Sequence, residues 1–237
     1  MYQPAQQSHS QFSEAQVAEE QAAFIRKVYL FMATGLGATA ITALLVVSSQ
    51  RAIDLIFRTP FLYLGLILAE LVMVWTFSSL ARRMSAVGAG ALFYAYAIMN
   101  GLTLSVIFLV YTASSISTVF FISGGTFAAL SVYGYVTRRD LTSVGHFMMM
   151  GLFGLIIASI VNLWLRSPQL YWVTSCVGVL VFVGLTAYDT QKIKQLNVIG
   201  NAGTDEDHKE AIHGALVLYL DFVNLFLYLL RLLGRRR

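Results

Sequence analysis

The sequence predicts an all-α integral membrane protein with seven transmembrane helices. Of its 237 residues, 57% are hydrophobic and only 12% are charged, whereas about 25% are charged in an ordinary soluble domain. Seven apolar runs are each long enough to cross a hydrocarbon layer about 30 Å thick. They cover approximately residues 28–48, 60–81, 86–110, 116–136, 146–165, 169–189 and 211–231. Their connections are short, so we expect one bundle without a second folded domain.

A polar leader, residues 1–24, precedes the first run. It has no apolar h-region, so we expect no cleavable signal peptide, and the first span would act as the targeting signal. The segment from Ser13 to Gln16 fits a capping box, which predicts a helix that begins there and continues into the first span. Residues before Ser13 are expected to be disordered. The predicted division is this leader, a transmembrane domain over 25–234 and a basic tail, 235–237.

The basic residues lie at the ends of the apolar runs and not in one patch, so the net charge of +4 indicates membrane topology and not nucleic-acid binding. A cytoplasmic N-terminus places nine of them inside and three outside, before the tail is considered. The nine are Arg26, Lys27, Arg82, Arg83, Arg138, Arg139, Lys192, Lys194 and Lys209, and the three are Arg51, Arg58 and Arg166.

The tail does not fit this count. If the seventh run crosses fully, Arg231, Arg235, Arg236 and Arg237 lie outside. Either the earlier spans overrule these charges, or the last segment is re-entrant and returns the tail to the cytoplasm. Full crossing is favoured because the run is long enough and has no Pro or Gly in its middle.

Glycines recur in pairs on the runs, which predicts close contacts between helices in lipid. No strand is expected before them, which disfavours a phosphate-binding loop. The pairs are Gly35 and Gly37, Gly88 and Gly90, Gly124 and Gly125, and Gly151 and Gly154.

Three acidic residues lie within or at the end of the runs, where each costs about 2.5 to 3.5 kcal/mol on insertion scales. Glu70 lies midway along the second run, Asp189 ends the sixth, and Asp221 lies inside the seventh. Glu70 is interpreted either as a further sensor or as a packing acid that pairs with a neighbouring Tyr or Asn. For Asp189 alone, a solvated carboxylate at a span end is an equal alternative.

At helical spacing, the seventh run carries one polar side, which should face protein or water and not lipid. For Asp221 alone, the alternative is hydrogen bonding between helices, worth about 1 kcal/mol per bond. All four histidines, His9, His146, His208 and His213, lie in the leader, in a loop or near a span end and are interpreted as incidental and not as a pH switch. The polar side comprises His213, Val217, Asp221, Asn224, Tyr228 and Arg231.

The sixth and seventh runs are consecutive and antiparallel, so Asp189 and Asp221 can meet. Two adjacent carboxylates cannot both ionise cheaply, and we expect the pair to share a proton and to titrate as a unit. Such a pair could sense pH near neutrality. Arg82 or Arg83, at the end of the second run on the same side, could reach it; the alternative is that both are positive-inside anchors.

At these residues the chain resembles the transmembrane Bax inhibitor motif family, in its bacterial branch. The resemblance rests on AYDTQKI at 187–193, ALVLYLDFVNLFLYLLRLLG at 215–234, TRRDLT at 137–142 and the spacing of the runs. It implies two three-helix layers around a central C-terminal helix. It also implies a pH-sensitive calcium leak channel with cytoprotective roles, in the bacterial cytoplasmic (inner) membrane.

By this resemblance, Asp189 and Asp221 would be the di-aspartyl pH sensor, with Arg83 or Arg82 as a latch that closes the pathway. Glu70, Asn224 and His213 would be accessory residues. Calcium prefers six to eight oxygen ligands, so two carboxylates would hold it only transiently, which suits passage. Calcium is then the transported ion, and no cofactor is expected.

Other function classes agree less well with the sequence. An intramembrane aspartyl protease is disfavoured, because LYLDFVN lacks the preceding glycines and no Pro-Ala-Leu follows, so we expect no enzyme. A retinal protein is excluded because the seventh run has no lysine. A cation/proton exchanger stays open. A non-transporting regulator that binds a membrane protease or another membrane protein is the main alternative and would tolerate loss of the aspartates.

Overall fold

The computed structural model describes residues 13–80 and 84–237. Within these ranges the chain forms nine α-helices. They are α1 Glu14–Val47, α2 Gln50–Arg58, α3 Pro60–Leu80, α4 Ala86–Leu104, α5 Val106–Val110, α6 Ala113–Val136, α7 Thr142–Leu165, α8 Pro168–Leu196 and α9 Asp205–Leu233.

Six helical stretches of the described chain are long and apolar enough to cross a membrane: α1, α4 together with α5, α6, α7, α8 and α9. A seventh candidate combines Gln50–Arg58 with Phe61–Phe77, which meet at an angle of 81°. The all-α, membrane-spanning class is therefore confirmed, with six spans, or seven if the bent pair is one span. The α2 segment was not predicted as a helix.

The start of α1 follows from the predicted capping box. Ser13 Oγ accepts a hydrogen bond from Gln16 N at 3.3 Å, and Gln16 Oε1 accepts one from Ser13 N at 2.9 Å. These bonds satisfy amide groups that have no partner within the helix. The helix begins at Glu14, inside the polar leader, whereas the predicted disorder before Ser13 falls outside the described residues.

The loop between α8 and α9 is shorter than the apolar runs suggest, because both helices continue into polar sequence and leave only residues 197–204. Thr204 Oγ1 accepts from Asp207 N at 3.2 Å, and Asp205, Glu206 and Asp207 occupy the first turn of α9. Negative charge is favourable at a helix N-terminus. These interactions allow α9 to begin before its apolar part.

The chain separates into two compact units. Unit 1 comprises Met1–Leu104 and Ile193–Leu216, of which the structure describes the parts given above. Within it, α1 packs closely on α4, where Thr39 Oγ1 donates to Ala97 O at 2.9 Å. A Cβ atom at Gly101 would lie 2.6 Å from Thr39 O, so this close approach requires glycine. Lys27 and the buried Asp207 form an ion pair that joins α1 to the start of α9.

Unit 2 comprises Ser105–Lys192 and Val217–Arg237. Gly134 of α6 lies directly against the carbonyl group of Ala187 in α8. Across α8 and α9, a Cβ atom at Gly178 would lie 2.5 Å from the ring of Tyr228. Small residues thus let α8 lie very close to its neighbours.

The predicted glycine contacts are found only in part. A Cβ atom at Gly35 would lie 2.5 Å from the ring of Phe93, and one at Gly151 would lie 2.9 Å from Val181. The other glycines of the four pairs have ordinary contacts or open space among the described residues. The tightest contacts within unit 2 are instead made by glycines outside these pairs.

The basic tail pairs with the linker between α5 and α6 through backbone atoms. Arg237 N donates to Val110 O at 2.9 Å, and Thr112 N donates to Arg235 O at 3.1 Å. Arg236 and Tyr111 form an antiparallel bridge. We call this arrangement the tail clasp. It lies at the start of α6, and the 137–141 loop lies at the other end of that helix. The α9 helix is unbroken up to Leu233 and is long and apolar enough to cross a membrane, while the full crossing itself stays a prediction.

Candidate functional site

The candidate site is formed by two aspartates on neighbouring helices of unit 2. Asp189 lies seven residues before the end of α8, and Asp221 lies in the middle of α9. The contact of Gly178 with Tyr228 holds the two helices close together. Phe222, next to Asp221, packs against Phe127 of α6 with ring centroids 5.5 Å apart. The backbone around Asp221 is therefore fixed on two sides.

The carboxyl groups of Asp189 and Asp221 lie in contact, within hydrogen-bonding reach of each other. Asp221 is only 5% exposed, and Asp189 is half-buried. An ionised carboxylate can only accept hydrogen bonds, so a bond between two carboxyl groups requires a proton on one of them. The structure thus brings the two aspartates together, and a hydrogen bond between them would need one shared proton.

One oxygen of the pair, Asp221 Oδ2, is buried and receives no hydrogen bond from an N–H or hydroxyl group of the described residues. A buried oxygen without a partner is costly, which makes it an acceptor available to a proton, a donor or a cation.

Lys192 is the cation that acts on the pair within the described chain. Its positive charge attracts a negative charge on Asp189, and its Nζ atom lies 5.5 Å from the centroid of the Tyr188 ring. Sequence analysis treated Lys192 only as a topology signal. The i, i+3 spacing from Asp189 on one helix was the signal that would have indicated this interaction.

The end of α8 that carries Asp189 is tied to the loop before α7. Gln191 Oε1 accepts from Leu141 N at 2.9 Å, and Gln191 Nε2 donates to Arg139 O at 2.8 Å. In the same loop, Asp140 Oδ1 accepts from Thr142 N at 2.8 Å and from Thr142 Oγ1 at 2.6 Å. These bonds lower the pKa of Asp140 below its ordinary value. The TRRDLT and AYDTQKI segments therefore meet, and Asp140 stabilises the start of α7.

Glu70 lies in unit 1, on α3. Thr103 Oγ1 donates to Glu70 Oε1 at 2.7 Å, and Asn100 Nδ2 donates to Glu70 Oε2 at 3.4 Å. Tyr63 and Tyr96 are close enough to interact with its charge. These partners are of the kind expected for a packing acid, whereas the accessory role of Glu70 in ion passage stays a prediction.

The remaining predicted site residues have different surroundings. Asn224 Nδ2 donates to Leu220 O of its own helix at 2.8 Å. His213 stacks on Phe77 with ring centroids 5.9 Å apart. Arg82 and Arg83, the two candidates for the latch, lie outside the described residues.

The carboxyl pair could hold a metal ion only weakly. Across residues 13–80 and 84–237, no three His, Cys, Asp or Glu side chains converge as a metal site. The pair would therefore give calcium at most two carboxylates and leave most of its six to eight positions to water or carbonyl oxygens.

Comparison with known proteins gives consistent matches over most of the chain. The profile of a family described as "Inhibitor of apoptosis-promoting Bax1" matches residues 21–237. The inner membrane protein YbhL of Escherichia coli is 46% identical over 215 residues, which cover 90% of this chain and 92% of the relative. The uncharacterized protein RP147 of Rickettsia prowazekii is 48% identical over 217 residues, 90% of each chain. An uncharacterized protein of Borreliella burgdorferi is 42% identical, over 90% and 92% of the two chains.

Proposed function

The chain belongs to the Bax inhibitor-1-like family of membrane proteins, and from this premise we propose that it is a pH-sensitive calcium leak channel of the bacterial inner membrane. The observation that carries the proposal is the contact between the carboxyl groups of Asp189 and the buried Asp221. It supplies what a pH-dependent gate needs, namely two acids on different helices that share one proton.

In the proposed closed state, the shared proton joins α8 to α9. The free oxygen, Asp221 Oδ2, is the atom that a latch would bind, and Arg83 or Arg82 is the proposed donor. A guanidinium group suits this part because it stays charged and can donate two parallel bonds to a carboxylate.

Loss of the proton opens the proposed gate. Two carboxylates in contact, poorly screened by water, repel each other, and the hydrogen bond that joins their helices disappears. The resulting displacement of α9 would turn carboxylate oxygens toward the pathway, where calcium can bind briefly and pass. Calcium flux should therefore rise with pH.

The test is calcium flux into liposomes that contain the purified protein, measured from about pH 6 to about pH 8, where such a coupled pair would titrate. Wild-type flux should rise with pH, and Asp189→Asn and Asp221→Asn should each abolish this dependence, because an amide cannot exchange the proton. Glu206→Gln is the matched control, since its exposed carboxylate forms only a 3.4 Å contact with Lys209.

Each other outcome supports a different function. Flux equal to that of protein-free liposomes would contradict the channel and favour a regulator that binds a membrane protease or another membrane protein. A fixed ratio of protons to calcium ions would instead indicate a cation/proton exchanger.

A further inference from the structure

Five arginines gather at one end of unit 2, the end that carries the tail clasp. We call this group the basic end; it comprises Arg166, Arg231, Arg235, Arg236 and Arg237, all of them exposed. Unit 2, which the structure describes completely, has only three acidic residues: Asp140, Asp189 and Asp221. None lies in the segments that form the basic end, and none is within ion-pair distance of its arginines. Five positive charges thus stand together, and none of them forms an ion pair with a side chain of the described residues.

The basic end is a fixed structure. Besides the clasp bonds, Arg235 N donates to Ser115 Oγ at 3.0 Å. Arg231 lies over the ring of Tyr228 at 5.1 Å, and Arg236 donates to the Tyr171 hydroxyl at 3.4 Å. The side chains of Arg235 and Arg237 take no part in these contacts within the described chain, because both residues are held by backbone atoms. The backbone of both residues is therefore fixed, while their guanidinium groups are exposed.

The depth of the basic end relative to the bilayer is indicated by tryptophan. Trp164 is 77% exposed just before the end of α7, and Trp172 is 63% exposed just after the start of α8. Exposed Trp at the ends of apolar helices is typical of the level where headgroups meet acyl chains. The arginines that flank these residues then lie at the level of the lipid phosphates.

We propose that the basic end binds the phosphate of an anionic phospholipid in the surrounding leaflet. Charge and depth both favour a phospholipid at this site. Guanidinium groups form paired hydrogen bonds with phosphate, and the exposed apolar surface of α7 and α8 can contact acyl chains. A free phosphate ion could bind the arginines, but it would not account for the exposed tryptophans that flank them. The lipid also supplies negative charge to these arginines.

The test uses the two tryptophans as reporters, in a Trp75→Phe variant so that only Trp164 and Trp172 fluoresce. The protein is placed in bilayers of phosphatidylcholine with a minority of phosphatidylglycerol, and bromine atoms, which quench tryptophan on contact, are put on the chains of one lipid at a time. We expect quenching by brominated phosphatidylglycerol well above its mole fraction. Added inorganic phosphate should not reduce this quenching. If the site bound free phosphate, the added phosphate would occupy it and the quenching would fall.

The matched variants separate local charge from total charge. Arg235→Gln with Arg237→Gln keeps every backbone bond of the clasp and should lower the preference for phosphatidylglycerol by about five-fold for each arginine removed. Arg138→Gln with Arg139→Gln removes the same charge at the other end of unit 2 and should leave the preference unchanged. Lysine at 235 and 237 should retain most of it, and the melting temperature would show that each variant is folded.

In the Trp75→Phe protein, quenching by brominated phosphatidylglycerol in simple proportion to its mole fraction would overturn the proposal. An equal loss of the preference for phosphatidylglycerol in the two pairs of glutamine variants would also overturn it, since this would show attraction by total charge only. So would a loss with lysine at 235 and 237 as large as the loss with glutamine. The outcome is independent of calcium flux, so the lipid site and the channel can fail separately.

Discussion

At the scale of single residues, the partner and the burial decide what an aspartate does. Asp140 is exposed and accepts bonds from Thr142 at the start of α7. Asp207 is 2% exposed and forms an ion pair with Lys27. Asp221 is also buried, but its partner is another acid, Asp189. Of these three, only Asp221 must share a proton in order to keep its contact, which is why the proposed gate is assigned to it.

Lys192→Gln should shift the pH dependence of calcium flux to higher pH, if the proposed function holds. The lysine charge favours ionised Asp189, so without it the proton is lost only at higher pH. A partly solvated pair of charges is worth up to about 1 kcal/mol, which corresponds to a shift of up to about 0.7 pH unit. Arg138→Gln serves as the control, and an unchanged profile in Lys192→Gln would remove Lys192 from the mechanism.

Asp207→Ala should destabilise the protein by about 3 kcal/mol, because it leaves Lys27 facing a buried site without a counterion and Gly203 N without its acceptor. The free energy of unfolding in detergent measures this loss. Glu206→Ala, one residue away but largely exposed, should change stability by less than about 0.5 kcal/mol. Equal effects of the two substitutions would show that the ion pair contributes no particular stability.

At the scale of elements, apolar runs and caps predicted the helices well. Which side of each helix packs against a neighbouring helix was harder to predict. The capping box located the start of α1 because it is a local pattern of four residues. The bend after α2 was missed, although Thr59 is extended before Pro60 as proline requires of its predecessor. Glycine spacing did not identify Gly178, because in an almost uniformly apolar helix nothing local shows which side meets a neighbour.

Gly178→Ala should destabilise the α8–α9 contact by about 1 to 3 kcal/mol, because the added Cβ atom would lie 2.5 Å from the Tyr228 ring. A lower melting temperature in detergent would show it. Gly124→Ala, on α6, adds the same methyl group where no described atom lies within 4 Å, and it should be neutral or slightly stabilising. A stable Gly178→Ala protein would mean that the ring of Tyr228 can move aside.

At the scale of the whole molecule, sequence order explains why part of the site could be predicted. Consecutive antiparallel helices bring their polar sides together, so the meeting of Asp189 and Asp221 followed from two acids on adjacent runs. The tail clasp joins residues more than a hundred positions apart through backbone atoms, and no side-chain pattern reports such a pairing. The sequence therefore indicated the acid pair but left the position of the tail open.

Labelling with a membrane-impermeant maleimide in whole cells should distinguish the two ends of unit 2. In a Cys176→Ser background, cysteines at Ser114 and Arg237 should react from outside, whereas cysteines at Ser13 and Arg138 should react only after the membrane is opened. This pattern follows from a cytoplasmic N-terminus and a full crossing by α9. Equal protection of the cysteines at 138 and 237 would contradict it.

The tail clasp also makes the motion of α9 measurable. Because the clasp consists of main-chain bonds, residue 237 can carry a nitroxide without loss of the pairing, and a second nitroxide at residue 138, beyond the other end of α6, would give a distance that spans unit 2. The unbroken helix places Leu233 roughly 18 Å along its axis from Asp221, at 1.5 Å per residue. A continuous helix moves as a unit, so a displacement of α9 at Asp221 would also move its C-terminal end. Pulsed spin resonance between the two nitroxides would then record, at the surface, a movement that takes place deep in the bilayer.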